Sequence, residues 1–206
     1  NCRVSDLSVS SDNLTFTYEA KSLPYPIDTS YYDNEKHTQA DALSVIPFMD
    51  EMNYEGLSVS GLSDGYYGLT IGGEFIGLFT ARELERGINM ALLQNTPQYK
   101  QAMKIRQMNE ERWLKERKMR EFYWVEYNLM RKTGMLWACD EAAVDTLRKY
   151  RPHDIFLQWN GDLWLQYMHK GIREDCVNEQ QDLVDRIYEQ NKPIPLQIEI
   201  KKFTDL

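Results

Sequence analysis

The sequence has few of the residues on which metal and redox sites depend. Its 206 residues include three cysteines and three histidines. Cys2, Cys139 and Cys176 stand at unrelated spacings without a Cys-x-x-Cys pair, so they predict neither a disulfide framework nor a zinc site. No two histidines have the spacing of ligands on one helix, and no glycine-rich phosphate loop leads into a helix. The sequence therefore predicts no metal and no nucleotide cofactor.

Long apolar runs and an excess of positive charge are also missing. No stretch approaches the roughly 18 apolar residues of a bilayer-spanning helix, and no charged start precedes an apolar core. The formal net charge of -8 argues against a surface that neutralises nucleic-acid phosphates. We expect no membrane span, no signal peptide and no nucleic-acid partner. Because the sequence begins with Asn1 and not with Met, it is predicted to be a processed product or a fragment that lacks an upstream segment.

The first eighty residues show the pattern of β-structure. Hydrophobic residues make up 42% of the sequence, which is ample for a packed core. Phe16 and Tyr18 alternate with polar neighbours, as in a half-buried strand. The runs YYGLTI and EFIGLF flank Gly72 and Gly73 and predict a hairpin, because paired glycines supply the positive φ angles of a tight turn.

From Thr80 onward the pattern is helical. TARELERG predicts a short helix with Thr80 as N-cap and Glu83 at the capping-box position. Thr96 as the next N-cap and Gly134 as the stop bracket one helix of about ten turns. Residues 140–150 and 173–190 predict further helices, and LQIEIKKF predicts a last strand. The expected class is α+β: a small, sandwich-like β-rich unit at residues 1–80 and a helical unit at 81–206 packed on it as one compact domain.

The pentapeptide GLSDG at residues 61–65 matches the G-x-S-x-G pattern of a nucleophile elbow. An elbow places its serine between a strand and a helix, whereas Ser63 is followed by the predicted hairpin. A base for Ser63 would have to be His37, His153 or His169. We interpret Ser63 as a turn residue, and keep a stand-alone serine hydrolase that uses Ser63 with His153 or His169 as an alternative.

WNGDLW at residues 159–164 has the composition of a sugar-binding stretch. Trp159 and Trp164 would stack a sugar ring while Asn160 and Asp162 bind its hydroxyls. A carbohydrate-binding module is therefore a second alternative for the function. The competing interpretation is a turn whose two indole rings pack into the core.

Five landmarks in order give the chain a resemblance to the C-terminal region of bacterial SGNH/GDSL-type hydrolases. They are LPYPID at 23–28, ADALSVIPFMDEMN at 40–53, L-x-V-x-G-L-x-x-G-x-Y at 57–67, GINMALLQNTP at 87–97 and NEERW at 109–113. The catalytic blocks of that family, Gly-Asp-Ser and a late Asp-x-x-His, are not present in this sequence. The resemblance places the chain after them.

The resemblance implies a non-catalytic accessory segment that flanks or caps the active site of a preceding, lipase-like esterase domain. That domain would be the partner, an ester or acylated carbohydrate the substrate, and serine acyl transfer without a cofactor the chemistry. It also implies a periplasmic or secreted location. Asn89, Asn95 and Thr96 are the candidates for residues that face the substrate; the alternative is that these side chains only cap helices.

Overall fold

The computed structural model describes residues 2–28 and 38–204. They group into two compact units, one that runs up to Arg106 and resumes at Gln190, and one from Gln107 to Glu189. The strands are β1 (Cys2–Val9), β2 (Asn13–Ala20), β3 (Gly56–Leu57), β4 (Tyr66–Ile71), β5 (Glu74–Thr80), β6 (Ile88–Asn89) and β7 (Leu196–Lys202). The helices are α1 (Gln39–Ala42), α2 (Phe48–Glu51), α3 (Ala81–Arg86), α4 (Pro97–Val125), α5 (Glu141–Tyr150), α6 (Ile155–Tyr167) and α7 (Lys170–Gln190). Within the described ranges, no helix is long and apolar enough to cross a membrane.

The first unit is built on a five-stranded antiparallel sheet with the strand order β1-β2-β7-β4-β5. The last strand of the chain, β7, occupies the centre, where Ile198 lies opposite Phe16 of β2 and Ile71 of β4. Alternate residues of β7 point to the same face of the sheet, and Ile198 is fully buried on the face that packs into the core. The two-stranded sheet β3-β6 contributes Leu57 to the same hydrophobic core.

The turn between β4 and β5 confirms the predicted hairpin. Gly72 and Gly73 adopt φ angles of 59° and 82°, which the tight connection requires and which side chains disfavour. The predicted capping box is also formed at the start of α3. Thr80 Oγ1 accepts a hydrogen bond from Glu83 N at 3.2 Å, and Glu83 Oε2 accepts one from Thr80 N at 2.7 Å. The hydrogen bonds that the Glu83 carboxylate accepts from the backbone N–H and the hydroxyl of Thr80 lower the pKa of Glu83.

The long helix predicted from Thr96 is confirmed, with one unpredicted feature. Helix α4 runs from Pro97 to Val125 and continues as a π-helical turn over Glu126–Met130. At its start, Thr96 Oγ1 accepts a hydrogen bond from Tyr99 N at 3.3 Å, as an N-cap does. The π turn inserts one extra residue per turn and changes which side chains point inward.

The π turn organises the core of the second unit. Glu126 is fully buried there, and its carboxylate accepts hydrogen bonds from Trp164 Nε1 at 2.8 Å and from Trp137 N at 2.9 Å. Trp137 adopts φ 65°, a left-handed conformation that is costly for a bulky residue. All five tryptophans of the chain lie in this unit. The same carboxylate therefore fixes one indole ring and one backbone turn.

The α+β class with one very long helix is confirmed. The predicted helices at 140–150 and 173–190 correspond to α5 and α7, and the predicted last strand is β7. The expected change of character near residue 80 coincides with the junction of β5 and α3, whereas the compact units divide at Arg106. The division into domains 1–80 and 81–206 stays a prediction.

Candidate functional site

The side-chain amide of Asn89 forms all of its possible hydrogen bonds with residues of the first unit. Its Oδ1 accepts from Glu55 N at 2.9 Å and from Ala91 N at 3.1 Å. Its Nδ2 donates to Met49 O at 2.9 Å and to Asn53 O at 3.1 Å. An amide offers two donors and two acceptor sites, so none is left for a substrate in this conformation. Asn89 ties the segment after α2 to the turn before α4.

Asn95 and Thr96 are likewise used within the fold. Asn95 is exposed and donates from Nδ2 to Ile76 O at 2.8 Å. Thr96 is fully buried, and its hydroxyl donates to Leu93 O at 2.9 Å while it caps α4. Of the three residues predicted to face a substrate, only Asn95 has an exposed side chain. Their role toward a substrate stays a prediction.

Ser63 lies in a turn that leads into β4 and not into a helix. Tyr67 Oη donates to the carbonyl of Ser63 at 2.9 Å, so the Ser63 hydroxyl donates to Tyr67 Oη at 3.1 Å. Lys202 Nζ donates to Ser63 Oγ at 2.7 Å. The Ser63 hydroxyl is thus in contact with the Lys202 side chain and a phenol oxygen, and among the described residues no histidine hydrogen-bonds to it. His153 and His169 belong to the second unit, and His37 lies outside the described residues.

WNGDLW is part of helix α6, so its interpretation as a turn is wrong. Trp159 and Trp164 are five positions apart, which separates them by about 140° around a helix. Trp164 is fully buried against Glu126, whereas Trp159 is 67% exposed. Asp162 forms a two-bond ion pair with Arg151, at 2.6 and 2.7 Å, which lowers the pKa of the Asp162 carboxyl. The structure does not bring the two indole rings to one surface.

A shallow pocket of about 350 Å³ on the second unit uses the asparagine of this motif. It is lined by Trp113, Arg117, Arg120, Glu121, Trp124 and Asn160. The Arg120 guanidinium lies 5.7 Å from the centre of the Trp113 ring. Trp113 is 46% exposed, so part of its ring faces solvent. Sequence reasoning missed Trp113 because it lies far from WNGDLW along the chain; only the packing of α4 with α6 brings it near Asn160.

Metal-ligating residues are dispersed. Across residues 2–28 and 38–204, no group of three His, Cys, Asp or Glu side chains could hold a metal ion. Cys2 and Cys139 are exposed, Cys176 is buried, and all three are free thiols.

Comparison with known proteins relates the chain to a larger enzyme. Residues 103–192 match the family described as the diltiazem deacetylase C-terminal helical domain. A solved structure described as BT4096, a gut microbial diltiazem-metabolizing enzyme, matches 98% of this chain with 37% sequence identity and a TM-score of 0.90. No curated protein matches the chain.

The chain spans 46% of the length of that solved protein. Residues 103–192 are thus similar to a C-terminal helical domain of the diltiazem deacetylase type.

Proposed function

We propose that this chain is the non-catalytic C-terminal accessory region of an SGNH/GDSL-type ester hydrolase, where it flanks or caps the active site of a preceding domain. One observation carries the proposal: the fold is shared over 98% of this chain but over only 46% of a diltiazem-metabolizing enzyme. The remaining part of such an enzyme is large enough for a separate catalytic domain. In that domain, a serine would take the acyl group and pass it to water without a cofactor.

The surroundings of Ser63 support a non-catalytic role for the chain itself. A serine nucleophile needs a partner that removes its proton, and Ser63 receives a hydrogen bond from Lys202 instead. This contact ties the turn that carries Ser63 to the last residue of β7. GLSDG is then a chance match to the elbow pattern.

Strand β1 supports a neighbouring domain. It lies at one edge of the sheet, and its apolar side chains Val4, Leu7 and Val9 are 54%, 64% and 70% exposed. Exposed apolar residues on an edge strand favour association, so proteins usually cover or blunt them. We assign this strip as the surface that the preceding hydrolase domain covers.

The substrate proposed for the whole enzyme is a small acetyl ester. The loop 87–97 stays our proposal for the part of this chain that approaches it, with Asn95 as its exposed polar group. Internal hydrogen bonds hold Asn89 and Thr96, so these side chains fix the loop in place. The fixed loop would exclude water from the active site and restrict the access of substrates to it.

The first test is the reactivity of the isolated chain toward a fluorophosphonate and p-nitrophenyl acetate. We expect neither stoichiometric labelling nor hydrolysis above the rate of the Ser63→Ala variant. Ser60→Ala removes another exposed serine of the same loop and serves as the matched control. Stoichiometric labelling that Ser63→Ala abolishes and Ser60→Ala retains would make the chain a serine hydrolase in its own right.

The second test uses the enzyme that comprises this chain and its preceding domain. Val9→Lys places a charge on the proposed contact strip, and Val45→Lys places one on a valine that is 84% exposed outside the strip. We expect Val9→Lys alone to change the KM for acetyl esters and to increase proteolysis between the domains. Equal behaviour of the two variants would show that β1 is not covered.

A second candidate function is saccharide binding at the shallow pocket of the second unit. It is favoured by the combination of two indole rings with Asn160 and Glu121, since sugars need apolar platforms beside planar polar groups. Quenching of tryptophan fluorescence by xylohexaose or cellohexaose would support it if Trp113→Ala removes the effect and Trp159→Ala retains it. The reverse pattern, or no quenching by either sugar, would dismiss it.

A further inference from the structure

A second pocket, on the first unit, surrounds the carboxylate of Glu55, which forms no ion pair within residues 2–28 and 38–204. It has a volume of about 420 Å³, within the range of small-molecule sites. Its lining includes Glu55 together with Tyr18, Tyr54, Pro24 and Met52. All residues that line it belong to the first unit, and Ser63 is not among them.

The hydrogen bonds of Glu55 leave its charge uncompensated. Tyr18 Oη donates to Glu55 Oε1 at 2.8 Å. Gln98 Nε2 is the other side-chain donor, at 3.5 Å from Oε1 and 3.4 Å from Oε2, both long. A carboxylate has about four acceptor sites, so Oε2 in particular is under-used. Across the described parts of the chain, no lysine, arginine or histidine pairs with Glu55.

The neighbouring amide is arranged for an ionised carboxylate. Gln98 is 4% exposed, and its Oε1 has no hydrogen-bond partner while its Nε2 points to Glu55. Rotating the amide would place an acceptor against the carboxylate and is therefore unfavourable when Glu55 carries its charge. Burial raises the pKa of Glu55, which means that the negative charge is held at a cost that a nearby cation would remove.

The walls of the pocket suit the organic part of such a cation. Tyr54 is 58% exposed, and its ring lies over Gly56, where a Cβ atom would come within 2.5 Å of the ring. Pro24 and Met52 add apolar surface around the same opening. Aromatic faces attract ammonium groups, and apolar surface attracts the alkyl groups that such cations carry.

We propose that this pocket binds a small organic ammonium ion, with Glu55 as its counter-ion and Tyr54 as an aromatic wall. An inorganic metal ion fits less well, because the pocket offers a single carboxylate; its other polar side chains are the phenols of Tyr18 and Tyr54, the thiol of Cys2, the hydroxyl of Ser22 and the amide of Asn53. The proposal concerns a binding site and assigns no step of ester hydrolysis to these residues.

The test compares two probes of equal shape, choline and its uncharged carbon analogue 3,3-dimethylbutan-1-ol. Binding to the 206-residue chain is followed by NMR through the methyl signal of Met52 and the ring signals of Tyr54. We expect saturable binding of choline and at least about tenfold weaker binding of the neutral alcohol, as for a charge-assisted contact. Equal affinity for the two probes, or binding of neither, overturns the proposal.

Variants locate the effect. Glu55→Gln keeps the shape and should lower choline affinity by about 10- to 100-fold, whereas Glu51→Gln removes an exposed carboxylate of α2 and should leave it unchanged. Met52→Lys alters a residue that is 78% exposed, so the fold tolerates it, and it supplies an internal ammonium that should compete with choline. If Glu55→Gln fails to fold, Met52→Lys decides the question. Undiminished choline binding in Met52→Lys would contradict the proposal.

Discussion

Truncating Asn89 tests whether its side chain serves the fold or a substrate. Asn89→Ala removes four hydrogen bonds and leaves the amides of Glu55 and Ala91 and the carbonyls of Met49 and Asn53 without their partner. Each such bond contributes about 1 kcal/mol net, so four give an upper value of about 4 kcal/mol. Because Asn89 is only half-buried, water replaces part of this, and we expect a loss of about 2–3 kcal/mol.

Asn95→Ala is the matched control. It removes one hydrogen bond, to Ile76 O, from an exposed side chain of the same loop. We expect a loss of about 0.5–1 kcal/mol. Urea unfolding followed by far-UV circular dichroism measures both values, and hydrogen exchange at the amides of Glu55 and Ala91 shows whether the loss is local to the bonds of Asn89.

The stability difference between the two variants decides the structural part of the argument. An Asn89→Ala chain within about 0.5 kcal/mol of the wild type would refute the four-bond account. The functional part needs the larger enzyme, assayed at a temperature where the variant remains folded. Unchanged turnover of small acetyl esters by Asn89→Ala would end the proposal that Asn89 faces the substrate, whereas lower turnover at equal folded fraction would support it.

Four other substitutions test contacts described above. Thr80→Ala should lower stability by about 1 kcal/mol through loss of the N-cap of α3. The pKa of Glu83 is lower in the folded state than in the unfolded state, so the Glu83 carboxylate stabilises the fold above its unfolded pKa and stops doing so as the pH falls through its folded pKa. The wild type should therefore be more stable than Glu83→Gln at pH 7, and this difference should disappear in acid. Thermal unfolding from pH 7 to pH 3 measures it. Glu126→Gln places an amide N–H against one of the two donors, Trp164 Nε1 or Trp137 N, that the carboxylate accepts from. We expect the free energy of unfolding, measured by calorimetry, to fall by about 1–3 kcal/mol. No change would mean that Trp164 finds another acceptor. The raised pKa of Glu55 predicts the opposite pH trend: Glu55→Gln should gain stability relative to the wild type as the pH rises above about 4.3. A stability difference that does not change with pH would contradict burial as the cause of the raised pKa.

Local sequence chemistry predicted the elements that depend on neighbours along the chain. The pair Gly72-Gly73, the capping box at Thr80 and Glu83, and the N-cap at Thr96 each act over a few residues, and each is formed. The α+β class followed from the change of the hydrophobic pattern, from the alternation of strands before residue 80 to the spacing of helices after it.

Interactions between distant residues were not predictable in the same way. The pairing of β2 with β7 joins the two ends of the chain, and nothing in either strand specifies the other. Trp159 and Trp164 belong to the same short motif, and nothing in that motif distinguishes them. Trp164 is held in the core by the carboxylate of Glu126, which lies 38 positions away in the sequence. Glu55 was missed as a candidate for the same reason, because its pocket depends on Tyr18 and Gln98.

The confinement of all five tryptophans to residues 107–189 gives the chain two distinguishable optical signals. Selective excitation of indole follows the second unit alone, whereas the far-ultraviolet dichroism of the backbone follows both units. In one denaturation series, coincident curves would mean that the units melt cooperatively, and separated curves would give each unit its own midpoint. A destabilising substitution such as Asn89→Ala then becomes a measure of communication: any shift it causes in the indole curve has been transmitted out of the unit in which the change was made.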